Sequence, residues 1–187
     1  MRAMLIYLHG LNSSSQSGKA RELVAWMAAR GLGEACVCPD LPDRPGAAMA
    51  LLENLIGQSS GPVKLIGSSL GGFYATYLAE KHGLKAVLVN PCVACDAKLA
   101  DYVGSVQKNW HSGAEYVFSA AHLAEMRALA TPPAHRERYF LLLETGDAVL
   151  DYREAVAAYA GSRQVVLPGG DHGFTRFTDY LPDILAF

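Results

Sequence analysis

Ser69, Asp147 and His172 have the residue types, and the order along the chain, that nucleophilic acyl transfer requires. Such chemistry takes a hydroxyl nucleophile, an imidazole to accept its proton, and a carboxylate to hold that imidazole in the productive tautomer. Ser69 lies in Gly67-Ser68-Ser69-Leu70-Gly71-Gly72, after the apolar run Pro62-Val63-Lys64-Leu65-Ile66 and before the helix-type run Phe73 to Glu80. A G-x-S-x-G sequence between strand and helix puts its serine on a strained turn, and the small flanking residues let the two elements approach. The bland alternative is a tight strand-to-helix turn that happens to contain serine. Gly57-Gln58-Ser59-Ser60-Gly61 repeats the five-letter pattern, but it sits between a helical pattern and a strand. That context reads as a solvated loop, which leaves Ser59 outside the chemistry.

His172 occupies the glycine-rich stretch Gly169-Gly170-Asp171-His172-Gly173-Phe174, directly after a late apolar run. In elbow-type serine enzymes the partners follow the serine in the order carboxylate, then histidine, and His172 alone of six histidines stands in that last place. A surface-loop histidine is the competing reading. Asp147 follows the run Tyr139 to Leu143 and has a glycine before it, which suits an acid at a strand end. Its competitors are Glu144, close to the strand, Asp151, which looks like a helix N-cap, and Asp171, whose adjacency to His172 makes side-chain pairing awkward. Asp171 reads instead as a residue that shapes its own loop. The oxyanion donors expected for this chemistry are backbone N–H groups of Leu70, after the nucleophile, and of Leu11 in His9-Gly10-Leu11-Asn12. His9 reads as a loop organiser.

The elements that must position these groups are short. Strand-like runs fall at 3–8, 35–38, 63–66, 86–89, 139–143 and 164–167, with helical patterns at 18–30, 47–56, 73–81, 152–160 and 178–186. Near-continuous apolar strands alternating with amphipathic helices specify an α/β fold, with six mainly parallel strands expected in the order 2-1-3-4-5-6 and helices on both faces. One interval, Pro91 to Arg138, is too long for a simple crossover and contains two helical patterns, near 97–103 and 119–130. It leaves the carboxyl end of a strand, so it reads as a small helical cap over the ligand-binding edge. Residues 1–187 are thus expected to form a single domain with a cap insertion at about 91–138. Trp110-His111 and Tyr116-Val117-Phe118 are candidates for a pocket wall or for a small core beneath the cap. The serines at 13–15 and 17 suit a polar connection that ends in a helix cap.

Composition narrows the classes. Hydrophobic residues make up 51% of the chain, charged residues 18%, and the formal net charge is −2, so there is no basic excess for nucleic acid and no disorder signature. No apolar run reaches the roughly 18 residues needed to span a bilayer, and the N-terminal run is too short for a secretory signal core, so a soluble cytoplasmic protein without stable membrane insertion is expected. Cys36 and Cys38 are spaced for one face of a strand. Cys92 and Cys95 have C-x-x-C spacing without the second ligand pair that structural zinc needs, so all four read as plain thiols and no metal is expected.

Taken together, Tyr7-Leu8-His9-Gly10-Leu11-Asn12-Ser13-Ser14, the segment Leu65 to Thr76, Thr145 to Arg153 and Gly169-Gly170-Asp171-His172 resemble the YqiA/YcfP-type esterases of the α/β-hydrolase superfamily. The resemblance covers nearly the whole chain. It implies the α/β-hydrolase fold, a cofactor-free cytoplasmic esterase of bacterial type acting on small acyl esters or thioesters, and a triad of Ser69, Asp147 and His172. Phe often stands where Leu11 stands here, a departure that a backbone donor tolerates. Two alternatives stay open. One is a thioesterase for acyl-CoA, for which Arg127, Arg136 and Arg138 would supply a basic mouth; the other is a non-catalytic binding module on the same fold.

Overall fold

The computed structural model describes residues 3–187 of the chain. Residues with little polar alternation must be covered on both sides, and the apolar runs meet that demand as strands Met4–Leu8 (β1), Cys36–Val37 (β2), Val63–Ser68 (β3) and Lys85–Val89 (β4). Between them run helices Gly18–Ala28 (α1), Pro45–Gln58 (α2) and Leu70–His82 (α3). After β4 come a short helix Cys95–Lys98 (α4), strands Val106–Lys108 (β5) and Glu115–Val117 (β6), and helix Ala120–Leu129 (α5). The chain closes with Tyr139–Glu144 (β7), Tyr152–Ala158 (α6), Arg163–Leu167 (β8) and Leu181–Ala186 (α7).

Among the described residues the main sheet has six strands in the order β2-β1-β3-β4-β7-β8, every pair parallel. This is the expected arrangement. Alternate residues of each strand feed opposite faces: Ile6, Leu8, Leu65, Leu88 and Leu141 pack with α2, α3 and α5, whereas Tyr7, Ile66, Val87 and Phe140 pack with α1 and α7. Truncating one of these fully buried aromatics, such as Phe140, to alanine costs about 3–5 kcal/mol by loss of burial and creation of a cavity. Local signals start and stop the helices. Ser17 caps α1 by accepting from the Ala20 N–H, Pro45 opens α2, and Gly83 ends α3 in the left-handed conformation.

The interval 91–138 differs from its expected form. The helical pattern near 97–103 resolves into α4, only four residues long, followed by a 3₁₀ turn at Ala100–Tyr102. Between it and α5 stands an antiparallel hairpin, β5 paired with β6 in the register Val106↔Val117, Gln107↔Tyr116 and Lys108↔Glu115. Helix α5 matches expectation and sets Leu123, Met126 and Leu129 into the same core as α2 and α3. No helix among the described residues is long and apolar enough to cross a membrane.

Candidate active site

The carboxyl ends of β1, β3, β4, β7 and β8 share one edge of the sheet, and each sends a loop to a common point. Ser69 takes φ 55 and ψ −119 at the junction of β3 and α3. Such backbone costs about 1–3 kcal/mol in a non-glycine residue and persists only where its surroundings over-determine it. Here they do. The Ser69 N–H donates to Val89 O at 3.1 Å, and its carbonyl accepts from Gly72 N–H at 2.9 Å and from Cys92 N–H at 3.0 Å. A Cβ on Gly67 would overlap the Gly71 backbone, and one on Gly71 would overlap Leu8, so the junction closes only with glycine at both places. Although Ser69 is the N-cap of α3, its side chain makes no capping bond, which leaves Oγ free for another partner.

That partner is His172, whose Nε2 lies 3.0 Å from Ser69 Oγ, while its Nδ1 lies 2.7 Å from Asp147 Oδ2. The other Asp147 oxygen accepts from the Val149 and Leu150 N–H groups, which fixes the carboxylate without consuming the oxygen that meets the imidazole. The Asp147 side chain is 2% exposed and that of His172 28%, so the acid is withdrawn from water while the base can be reached. A carboxylate on Nδ1 sets the tautomer that keeps Nε2 a proton acceptor towards a hydroxyl. Gly146 allows the turn before Asp147, because a Cβ there would strike the Gly170 carbonyl of the histidine loop.

The competitors are occupied elsewhere. Glu144 is completely buried and accepts from the Asp171 N–H, the Thr175 N–H and hydroxyl, and Arg176 Nε. Burial alone would raise its carboxyl, yet these donors together hold it below the ordinary carboxylate value. Asp151 caps α6 and pairs with Arg153, and Asp171 accepts from the Gly173 N–H, as its loop-shaping reading anticipated. Ser59 lies at the end of α2 and bonds only within its own turn.

Leu70 follows the nucleophile and Leu11 follows Gly10, and the two line a common cleft of about 200 Å³ together with Asp43, Tyr74 and Tyr116. Leu70 is the first residue of α3, so its N–H has no acceptor within the helix. Gly10 keeps the early loop close: a Cβ there would stand 3.3 Å from Ser69 Cβ. His9 Nε2 accepts from the Leu41 N–H at 3.0 Å, which leaves Nδ1 to carry the proton and donate to Gly10 O at 2.9 Å. Burial lowers the pKa of His9 and favours this neutral form. Of the cap aromatics, Tyr116 lines the cleft, Phe118 is buried in the core and Trp110 is exposed.

Asn90 was not anticipated. It sits at the end of β4, where its Oδ1 accepts from the Glu144 N–H at 3.0 Å and its Nδ2 donates to the carbonyls of Asp171 and His172 at 3.0 and 3.2 Å. One amide thus ties the histidine loop to β7. Its only trace in the sequence is a polar residue ending the apolar run before Pro91. Of the arginines considered for a phosphate mouth, Arg136 and Arg138 immediately precede β7, at the sheet edge opposite Ser69, with Arg136 on the Ala158 carbonyl and Arg138 near Glu80, whereas Arg127 lies in the last turn of α5. Cys92 and Cys95 are buried, Cys36 and Cys38 pack on one side of the sheet, and no cluster of three or more metal-ligating side chains occurs among the described residues.

A parallel sheet in this order, with a strained serine after β3, an acid after β7 and a histidine after β8, is the α/β-hydrolase fold. Residues 4–187 match the model of the family described as "Uncharacterised protein family (UPF0227)", and the chain belongs to that family, in keeping with its YqiA/YcfP-type motifs. Solved structures agree on the fold. Est1E from Butyrivibrio proteoclasticus superposes with a TM-score of 0.69 at 13% identity, covering 100% of this chain and 86% of its own. Alpha/beta hydrolase domain-containing protein 10 from mouse gives 0.68 at 15% identity over 97% and 89% of the two chains. Methylketone synthase I from tomato gives 0.73 at 10% identity over 100% and 96%.

Proposed function

We propose that this protein is a serine hydrolase that cleaves small carboxylic esters through an acyl-enzyme. The observation that carries the reading is the continuous hydrogen-bonded line from Asp147 through His172 to Ser69 Oγ, which ends at a residue with strained backbone. In the proposed reaction His172 Nε2 takes the Ser69 proton as Oγ attacks the ester carbonyl. Asp147 holds the imidazole and stabilises the imidazolium. The carbonyl oxygen becomes an oxyanion facing the N–H groups of Leu11 and Leu70. Each such donor is worth about 10²–10³ in rate. His172 then returns the proton to the leaving alcohol, and a water activated by the same imidazole releases the acid.

We place the acyl group in the cleft of about 200 Å³ lined by Leu11 and Leu70, whose size suits short esters. Est1E, which shares the fold, has also been described with ferulic acid bound. Est1E and the tomato synthase share this architecture under different names, so the fold alone does not choose the reaction. Two of the three arginines considered for an acyl-CoA phosphate, Arg136 and Arg138, lie at the far sheet edge, which leaves Arg127 on α5 as the cation that reading would use. The test is kcat/KM on p-nitrophenyl esters from acetate to decanoate, with Ser69→Ala and His172→Ala beside the native protein. Turnover highest on the short esters and lost by at least a thousandfold in both variants is expected. Equal turnover in Ser69→Ala would overturn the reading.

A further inference from the structure

The hairpin of β5 and β6 meets the loop that carries Leu11 through one side chain. Asn12 has φ 58, a left-handed conformation that asparagine tolerates better than most residues. Its Nδ2 donates to Gln107 Oε1 at 2.9 Å, and its Oδ1 accepts from the Tyr116 hydroxyl at 2.9 Å. Gln107 and Tyr116 are directly opposite one another on β5 and β6, so the single amide spans both strands. The main chain joins in. Asn12 O accepts from the Trp110 N–H at 2.8 Å, and Asn109 Nδ2 donates to Ser13 O at 2.7 Å. Gln107 is itself steadied by donating through Nε2 to Ser105 Oγ at 2.8 Å, which fixes which way both amides face.

On the other side of Leu11, His9 bonds both Leu41 and Gly10. Leu11 is therefore held between two anchors, and the second belongs to the interval 91–138 rather than to the sheet. An oxyanion donor works only within about 2.7–3.1 Å of where the negative charge develops. Small errors in loop position consequently reach the rate directly.

We propose that Asn12 is a positioning residue, whose clamp on Gln107 and Tyr116 makes the β5–β6 hairpin the template that fixes the Leu11 oxyanion donor. The proposal rests on the serine-hydrolase reading. Asn12 touches no reacting atom; it acts through the backbone of its neighbour. A clamp of this kind stabilises the tetrahedral state more than bound ester, so its loss falls on kcat and not on KM.

Asn12→Gly keeps the left-handed backbone accessible and removes the amide, Tyr116→Phe removes one bond from the hairpin side alone, and the double variant closes a cycle. For each, kcat and KM on p-nitrophenyl butyrate and the inhibition constant of a trifluoromethyl ketone that forms a tetrahedral adduct are measured. Asn12→Gly is expected to lower kcat about 10- to 100-fold, leave KM within about twofold and weaken the ketone by a factor similar to the kcat loss. Tyr116→Phe is expected to lower kcat about fivefold, with the double variant losing less than the product of the two. Native kcat in Asn12→Gly, a loss confined to KM, or a strictly multiplicative double variant would each overturn the proposal. Should Asn12→Gly fail to fold, Tyr116→Phe decides the matter by the same split. Fluorophosphonate labelling separates the two layers: if the native protein does not label at Ser69 the hydrolase reading fails, whereas normal labelling with native kcat in Asn12→Gly removes the clamp alone.

Discussion

Gly71, in the first turn of α3, lies against Leu8 at the end of β1 so closely that a Cβ on Gly71 would overlap the Leu8 carbonyl oxygen and approach that of His9. Helix, nucleophile turn and early loop are thereby locked together through backbone. Neither carbonyl can swing aside as a flexible side chain does, so Gly71→Ala forces the elbow apart. We expect it to lower stability by roughly 1–3 kcal/mol and kcat at least a hundredfold. Gly57→Ala is the control, because nothing stands within 4 Å of its Cβ position inside α2; it is expected to stabilise by about 0.5–1 kcal/mol. Urea midpoints of the two variants check both signs.

Asp147 and Glu144 are both largely or fully buried carboxylates within four residues of one another, and they are expected to fail in different ways. Asp147→Asn keeps the shape but supplies the wrong tautomer to His172, so kcat should fall about 10³–10⁴-fold with the unfolding midpoint nearly unchanged. Glu144→Gln disturbs the acceptors of Asp171, Thr175 and Arg176 and should cost roughly 1–3 kcal/mol in stability, with a much smaller effect on kcat. The reverse pattern in paired kinetics and denaturation would exchange their roles.

Acid should loosen the join between α3 and the chain returning to β7. Glu80 accepts from the Tyr139 hydroxyl, the His135 ring and the N–H groups of Ala134 and His135. Burial raises its carboxyl, but these donors outweigh burial and bring it from 4.5 down to about 2. A pKa lowered by folding contributes stability that is complete above the unfolded value and is lost as pH falls through the folded one. Urea midpoints should therefore decline between about pH 4.5 and 2, and Glu80→Gln should flatten that decline while lowering stability at pH 7. Parallel pH curves for the two proteins would assign the acid transition to other groups.

The sheet was legible because each strand is an apolar run bounded by turn residues, and the observed strands fall at the expected places with shifts of a residue or two at their ends. The candidate triad was legible for a related reason: nucleophile, acid and base each follow a strand, so order along the chain carries order in space. The hairpin was not. Val106–Lys108 and Glu115–Val117 are three residues each, too short for alternation to register, and their pairing depends on the turn between them. Asn12 and Asn90 share the difficulty, since their partners lie about 95 and 81 residues away for Gln107 and Asp171, a distance no local pattern encodes. Asn12 does leave one local trace, as a residue type suited to positive φ beside Gly10.

The central claim is that Ser69 Oγ is the nucleophile, and the most direct measurement is a fluorophosphonate adduct located by peptide mass spectrometry in native, Ser69→Ala and Ser59→Ala proteins. The account predicts one adduct on the peptide carrying Ser69, abolished in Ser69→Ala and undiminished in Ser59→Ala. An adduct that persists in Ser69→Ala, or that disappears only in Ser59→Ala, would contradict it.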